Sequence, residues 1–376
     1  MKFTCLQENF KSGLAVVSHV VGKNVNLPIL NNILVRAQKS HIELLATNLE
    51  IGVIHKVRGK VEIEGELTVD AKTVSDYVNL LPLDKIETEK IEDDFLIQCD
   101  GFKTKIKCQT TQEFPLIPSI EKNTFFSLKL DDFKEAISQV IFAVSNNENR
   151  AELSGVLFSI KGKSLVMAAT DSYRLAEKKV PISESTISED RKVIVPAKTL
   201  QEVLRIMSVF KEGDEIESGS QIKICLSENQ ILFLIGSTEL VSKLIVGQYP
   251  DYEQIIPNNF KTSVIFEKPE LVRAIKASAI FSKVGINDVS LVFKKDSQDI
   301  IVSSSSSQVG ESTVNLRGEI GGDNNDVIIN YRYLLDGLNN LTGDKVKMDI
   351  VNYNTPCIIS SENNPSYLYI VMPIRQ

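Results

Sequence analysis

The chain has very little histidine: three residues in 376, His19, His41 and His55. They fall at unrelated positions and read as satisfied structural side chains rather than as metal ligands or general bases. No His-Glu-x-x-His, Gly-x-Ser-x-Gly or Gly-x-x-x-x-Gly-Lys-[Ser/Thr] stretch occurs. That removes the usual zinc-hydrolase, serine-hydrolase and nucleotide-loop signatures. Cysteine is sparse and odd in number. Cys5, Cys99, Cys108, Cys225 and Cys357 form no Cys-x-x-Cys pair and are expected as reduced core thiols in a cytoplasmic protein. No apolar run approaches the roughly 18 residues of a membrane span. At the N-terminus Glu8 and Lys11 interrupt "MKFTCLQENFKSGLAVV", so no export signal is expected. Cations are outnumbered, 42 against 49 acids, for a net charge of −7. A uniformly basic nucleic-acid binder is thereby excluded, but a locally basic face is not. "GGDNND" (321–326) lacks the Glu that an EF-hand loop places at its end, and a hairpin loop is expected there. "EDD" (92–94) reads as a solvated turn.

What the chain does have is repetition. "FTCLQENFKSGLAVVSHVV" (3–21), "FSLKLDDFKEAISQVIFAV" (126–144) and "VIFEKPELVRAIKASAIFS" (264–282) share one outline, with Phe10, Phe133 and Leu271 in register. Each predicts a short strand running into an amphipathic helix. "TVDAKTVSDYVNLL" (68–81), "IVPAKTLQEVLRIM" (194–207) and "IINYRYLLDGLNNL" (328–341) align without a gap and predict a second helix per repeat. Asp70 and Asn330 stand as N-caps, and Pro196 is tolerated at a helix start. The expected buried stripes are Val74, Tyr77, Val78 and Leu81, then Leu200, Val203, Leu204 and Met207. "EFPLIP" (113–118), "QYPDYEQIIP" (248–257) and "VMPIRQ" (371–376) close the copies. Alternating segments such as "KSLVMAAT" predict antiparallel strands between the helices, and Ser303–Ser307 belongs to one of them. The expected organisation is α+β: three tandem domains, 1–121, 122–260 and 261–376, each with two helices against antiparallel sheets.

"AATDSYRLAEKKV" (168–180) gathers an acid, two hydroxyls, a phenol and a guanidinium, as an active site would. Yet "LATNLEIGVIHKV" (45–57) has the same outline 123 residues earlier without that chemistry. The backbone of this stretch is therefore structural, and the side chains from Ser172 to Leu175 need a separate reason. Another pattern is shared by all three copies. Lys72, Lys198 and Arg332 occupy one repeat position in the first turn of the second helix, where a cation opposes the helix dipole at a cost of about 0.3–1 kcal/mol. Cations and helix N-termini facing a polyanion would account for them. Lys11, Lys134 and Arg273, near the starts of the first helices, are weaker parallels.

"MKFTC", "LPILNNILV", "ATDSYRLA", "IVPAKTL", "YPDY" and "VMPIR", in this order along the whole chain, resemble the beta subunits of bacterial DNA polymerase III, the sliding clamps. The resemblance implies a head-to-tail homodimer closed into a six-domain ring around double-stranded DNA, with helices inside and sheets outside. It implies a non-catalytic processivity factor with no cofactor and no metal, which tethers the polymerase alpha subunit and other clamp-motif proteins and is opened by a clamp loader. It carries DNA contact to Lys23, Asn24, Lys72, Arg150, Lys198 and Arg332; Asn24 stands where Arg is frequent, and Lys23 is a substitute. It carries a partner-peptide groove, between the second and third domains, to Leu153, Thr170, Ser172, Tyr173, Arg174, Leu175, Pro250, Gln254, Ile255, Ile370, Met372, Pro373, Ile374 and Arg375. The groove would take a Gln-Leu-x-Leu-Phe segment. Gln254, Ser172-Tyr173 and the terminal Gln376 depart from the best-known pattern. It carries the ring interface to Thr104 and Ile106 against Ile280 and Phe281. Two other classes stay open on the residues alone: a docking scaffold that has lost DNA binding, and an enzyme of unrecognised type.

Overall fold

The computed structural model describes residues 1–376 apart from 23–26, 148, 210–219, 363 and 376. Helices form where the periodicity predicts them: α1 (Gln7–Val17), α2 (Ala71–Leu80), α3 (Leu130–Val140), α4 (Ala197–Val209), α5 (Lys268–Ala279) and α6 (Tyr331–Asn340). The caps act as expected. Asp70 accepts from the Thr73 amide at 2.8 Å, and Asn330 accepts from the Arg332 amide at 3.0 Å. Phe10, Phe133 and Leu271 are all buried. In α4 the buried stripe runs through Leu200, Val203, Ile206 and Met207, with Leu204 at its margin, since a 3.6-residue period places Ile206 on the same face. Tyr77 likewise lies at the edge of the α2 stripe rather than within it.

The residues divide into two compact units. The first comprises Met1–Lys134, Ile182–Glu189 and Lys198–Leu244. Its strands form one open fourteen-stranded sheet. Ile51–Val57 of the first repeat pairs antiparallel with Thr238–Lys243 of the second, Val53 opposite Leu240, so the sheet runs without interruption from one repeat to the next. Helix α1 packs on Ile51–Val57 and against α2. Arg205 of α4 donates to the carbonyl of Ala15 at 2.7 Å and to that of Val16, occupying acceptors that the end of α1 leaves free.

The second unit comprises Glu135–Pro181, Asp190–Ala197 and Ile245–Gln376. It has a nine-stranded sheet whose repeat-to-repeat joint pairs Arg174–Pro181 with Asn364–Val371, Leu175 opposite Ile370. A four-stranded sheet, Gly310–Arg317, Asp299–Ser306, Asp288–Lys294 and Asn325–Asn330, carries α5 on its apolar face. Period-two burial of Val289, Leu291 and Phe293 meets period-3.6 burial of Leu271, Ala274, Ile275 and Ser278. Every strand pair among the described residues is antiparallel, and no sheet closes on itself. Ser303–Ser306 do lie in a strand, and the hydroxyl of the buried Ser304 is satisfied by donating to the Asp288 carbonyl at 2.9 Å.

One expectation is corrected. "GGDNND" is not a hairpin loop: Glu319–Gly322 pairs with Thr262–Glu267 in the nine-stranded sheet, whereas Asn325–Asn330 pairs with Asp288–Lys294 in the four-stranded one. The segment crosses between sheets. Gly322 takes φ 88°, and the Asp323 amide donates to the Lys261 carbonyl at 2.9 Å. "EDD" turns as expected, with Glu92 at φ 53°. All five cysteines are free; burial pushes the Cys5 and Cys357 thiols up to about 12. No described helix is long and apolar enough to cross a membrane.

Candidate functional site

The two related turns are built alike. Thr47 Oγ1 donates to the Ile51 carbonyl and accepts from the Leu49 amide; Thr170 Oγ1 donates to the Arg174 carbonyl at 2.6 Å and accepts from the Ser172 amide at 3.1 Å. Asn48 Oδ1 accepts from the amides of Glu50 and Ile51, as Asp171 Oδ1 does from those of Tyr173 and Arg174. Leu49 and Ser172 hold the matching left-handed position, φ 76° and 80°. Thr170 and Asp171 thus spend their polar groups on the turn, and the apparent catalytic cluster dissolves into backbone chemistry.

The turns differ in what lies beyond them. At Gly52 a Cβ would come within 2.7 Å of Ile117 Cγ2, so the chain's own loop fills the first-repeat site. At the matching position of the second repeat stands Leu175, and an open cleft of about 190 Å³ remains beside it. It is lined by Arg150, Thr170, Ser172, Arg174, Leu175, Pro250, Asp251, Tyr252, Ile255, Ile370 and Met372. Beneath it lies an apolar cluster of Leu157, Ala168, Leu175, Ile194, Tyr252, Ile358 and Ile370. Tyr249 locks the loop to the strand: its hydroxyl accepts from the Thr170 amide at 3.1 Å and donates to the Ala168 carbonyl at 3.3 Å. The Tyr252 hydroxyl donates to Glu177 at 2.7 Å. Burial, and then the Glu177 carboxylate, push that phenol above its ordinary value, so it remains a donor.

Of the fourteen residues assigned to a groove, the cleft brings together Thr170, Ser172, Arg174, Leu175, Pro250, Ile255, Ile370 and Met372. Leu153 is buried and off the lining; Tyr173 is 62% exposed and stacks on Tyr333. Gln254 is held by Asp251 at 2.7 Å. Pro373 bridges to Ile329, and the Ile374 amide donates to the Ile328 carbonyl at 2.7 Å, so the tail leaves the cleft after Met372; Arg375 is exposed. Asp251 and Tyr252 were missed, although "YPDY" contains both. Arg150, assigned to DNA, lines the cleft: its Nη1 donates to Ser172 Oγ at 3.0 Å and its Nε to Glu152 at 3.1 Å.

Lys72, Lys198 and Arg332 are exposed in the first turns of α2, α4 and α6. Lys23 and Asn24 lie outside the described residues. Ile280 is 69% exposed and Phe281 is half-buried beside Gly310. Val284 and Ile286, which sequence reasoning passed over, extend that apolar surface. Ile106 is already buried within its own unit, Thr104 is half-buried, and Phe102 is the exposed apolar residue of their strand. The described residues contain no cluster of His, Cys, Asp and Glu fit to hold a metal ion.

Three family models match in tandem: the N-terminal domain of the DNA polymerase III beta subunit over residues 1–118, its central domain over 127–251 and its C-terminal domain over 253–375. The beta sliding clamp of Synechocystis sp. is 27% identical over 395 aligned residues, covering 100% of this chain and 99% of the relative. That of Bacillus subtilis is 27% identical over 388, covering 100% of both. Among solved structures, the Bacillus subtilis DNA polymerase sliding clamp superposes with a TM-score of 0.92 at 25% identity, covering 100% of this chain and 99% of that one. The Pseudomonas aeruginosa clamp bound to griselimycin superposes with 0.93 at 25% identity over 100% of both chains. The chain belongs to the DNA polymerase III beta subunit family as three tandem clamp domains, and it is a processivity clamp of that polymerase, a subunit without catalysis of its own.

Proposed function

We propose that two copies of this chain close head to tail around duplex DNA, and that the cleft beside Leu175 captures a short apolar segment of each partner. The observation that carries the reading is the cleft itself: an open apolar site in the second repeat where the first repeat fills the matching place with Ile117. Apolar walls from Leu175, Ile370, Met372 and Pro250 suit the Leu and Phe of a Gln-Leu-x-Leu-Phe segment, with Ser172 and Arg150 to orient it. The partners are the polymerase alpha subunit, the clamp loader and other proteins bearing that segment, in the cytoplasm. The domains run 1–121, 122–260 and 261–376.

Two open strand edges support ring closure. In the strand Phe102–Gln109, residues 102–107 pair with Asp94–Cys99, and on its other side only Cys108 and Gln109 are paired among the described residues. Gly310–Arg317 is the edge strand of the four-stranded sheet. Unpaired edges are templates for another chain. The exposed Ile280, Val284 and Ile286 are the surface that such pairing would cover, with Phe281 beside them and Thr104, Ile106 and Phe102 opposite. Lys72, Lys198 and Arg332, with Lys23 and Asn24, would face phosphates. Their contacts need only be weak, because a closed ring stays on DNA by topology. The test is loading on circular DNA: the protein should remain bound until the circle is cut, then slide off. Release from uncut circles at the same rate as from linear DNA would refute encirclement.

A further inference from the structure

Arg174 lines the cleft, yet its guanidinium is occupied elsewhere. Nε donates to Asp171 Oδ2 at 3.0 Å, Nη1 to Asp336 Oδ2 at 2.5 Å and Nη2 to the Phe142 carbonyl at 2.8 Å. The Phe142 ring lies 5.5 Å from the guanidinium carbon and the Tyr333 ring 4.6 Å. The side chain is 11% exposed. All three nitrogens are engaged and aromatic rings flank the plane, so little of the charge is left for a bound segment.

The partners come from separate pieces of the fold. Asp171 belongs to the turn, Phe142 to the short helix after α3, and Tyr333 and Asp336 to α6. Tyr333 also stacks on Tyr173, and its carbonyl accepts from the Tyr369 hydroxyl at 2.8 Å. α6 packs closely on the C-terminal strand: a Cβ on Gly337 would collide with the Tyr369 ring. Both cleft walls hang from the same three residues. Leu175 is one wall; Val371 pairs with Arg174, Ile370 with Leu175, and the Met372 amide donates to the Tyr173 carbonyl at 2.8 Å.

We propose that Arg174 is a positioning residue, which sets the spacing of the cleft walls by bolting the turn to α6, and that Asp336 is part of the recognition device although it does not line the cleft. The inference rests on the cleft being the partner-binding site. It implies that Asp336, half-exposed on a helix, controls affinity for a segment it never touches.

The test titrates a fluorescent Gln-Leu-x-Leu-Phe peptide against the full-length chain, with particle mass and circular dichroism as controls. Asp336→Asn should weaken binding about tenfold, the size expected for loss of one charge-assisted hydrogen bond. Asp336→Glu should restore most of it. Arg174→Lys keeps the charge but not the fork or the stack, and should weaken binding at least as much. The double variant should be no weaker than Arg174→Lys alone, since both changes break one device. A general loss of stability would give additive effects and no rescue by Glu. Should Asp336→Asn fail to fold, Asp171→Asn, which can hold the turn as Asn48 does but takes the other carboxylate from the guanidinium, carries the same expectation. Met372→Arg, placed in the wall itself, separates the two readings. If it abolishes binding while Asp336→Asn binds as wild type does, the positioning role is wrong and the cleft assignment survives. If Met372→Arg binds as tightly as wild type, the cleft assignment fails and this inference falls with it.

Discussion

Deletion of residues 372–376 tests the cleft from its C-terminal wall. The deletion removes Met372 from the lining and leaves Leu175, Ile370 and Pro250 in place. If Met372 is a wall that excludes water from a bound Leu or Phe, its loss should cost hot-spot energy, about 2 kcal/mol or more, or roughly thirtyfold in Kd. The deletion also removes the bonds from the Met372 amide to Tyr173 and from the Ile374 amide to Ile328, and the buried Pro373 beside Ile329. At about 1 kcal/mol each, the two hydrogen bonds predict a loss near 2 kcal/mol. For a unit of this size that lowers the melting temperature by roughly 4–8 °C. Peptide anisotropy, calorimetry and particle mass read the three quantities separately. Peptide affinity should collapse, the transition should move down by a few degrees, and the dimer should persist at micromolar concentration. A truncated chain that binds within about threefold of wild type would lose less than 0.7 kcal/mol, too little for a wall, and would refute the assignment.

Replacing Lys72, Lys198 and Arg332 together with Ala should leave the fold intact or slightly stabilised, since each cation opposes its helix dipole by about 0.3–1 kcal/mol. The dependence of DNA affinity on salt should flatten by about 0.9 in log–log slope for each phosphate that is no longer neutralised; an unchanged slope would show that these cations do not face DNA. Phe281→Asp should yield folded monomers by placing an unpaired charge in the ring interface. Because Phe281 is half-buried within its own chain, Ile280→Asp is the cleaner change: sedimentation should report monomers with an unshifted melting curve, and a dimer at micromolar concentration would overturn the interface.

The helices were the most legible part of the fold. Their periodicity, the caps Asp70 and Asn330, and the threefold recurrence of each pattern all point the same way, and local chemistry suffices to place such elements. The sheets were legible only as strands. Nothing near Val53 announces Leu240 as its neighbour, because long-range pairing leaves no local mark, and "GGDNND" misled for the same reason: a crossing between sheets and a hairpin use the same turn residues. In the cleft, motif matching found Leu175, Ile370 and Met372. It could not find Arg150 or Asp251, whose place on the lining depends on how the 249–252 loop folds back on the strand. Nor could it show that Arg174 points its charge into α6, since a residue's position on a strand does not specify its side-chain partners.

The repeat explains why a strongly polar stretch need not be an active site. Thr47 and Thr170, with Asn48 and Asp171, close the same turn by the same bonds, so selection for the turn alone retains hydroxyl and acid or amide at those positions. Function then has few positions left to vary. At Gly52 the missing side chain lets Ile117 fold in, and the first repeat spends its site on its own core. At Leu175 a side chain stands where Gly52 has none, and the cleft opens beside it, with Tyr252, anchored by Glu177, in its lining. Asp171 gains a second duty that Asn48 does not have: its carboxylate pairs with the Arg174 guanidinium three residues on, where the first repeat has Ile51. Filling one copy and leaving the other open gives the two repeats different surfaces from a backbone that they share, and the open one is the cleft proposed to hold partners.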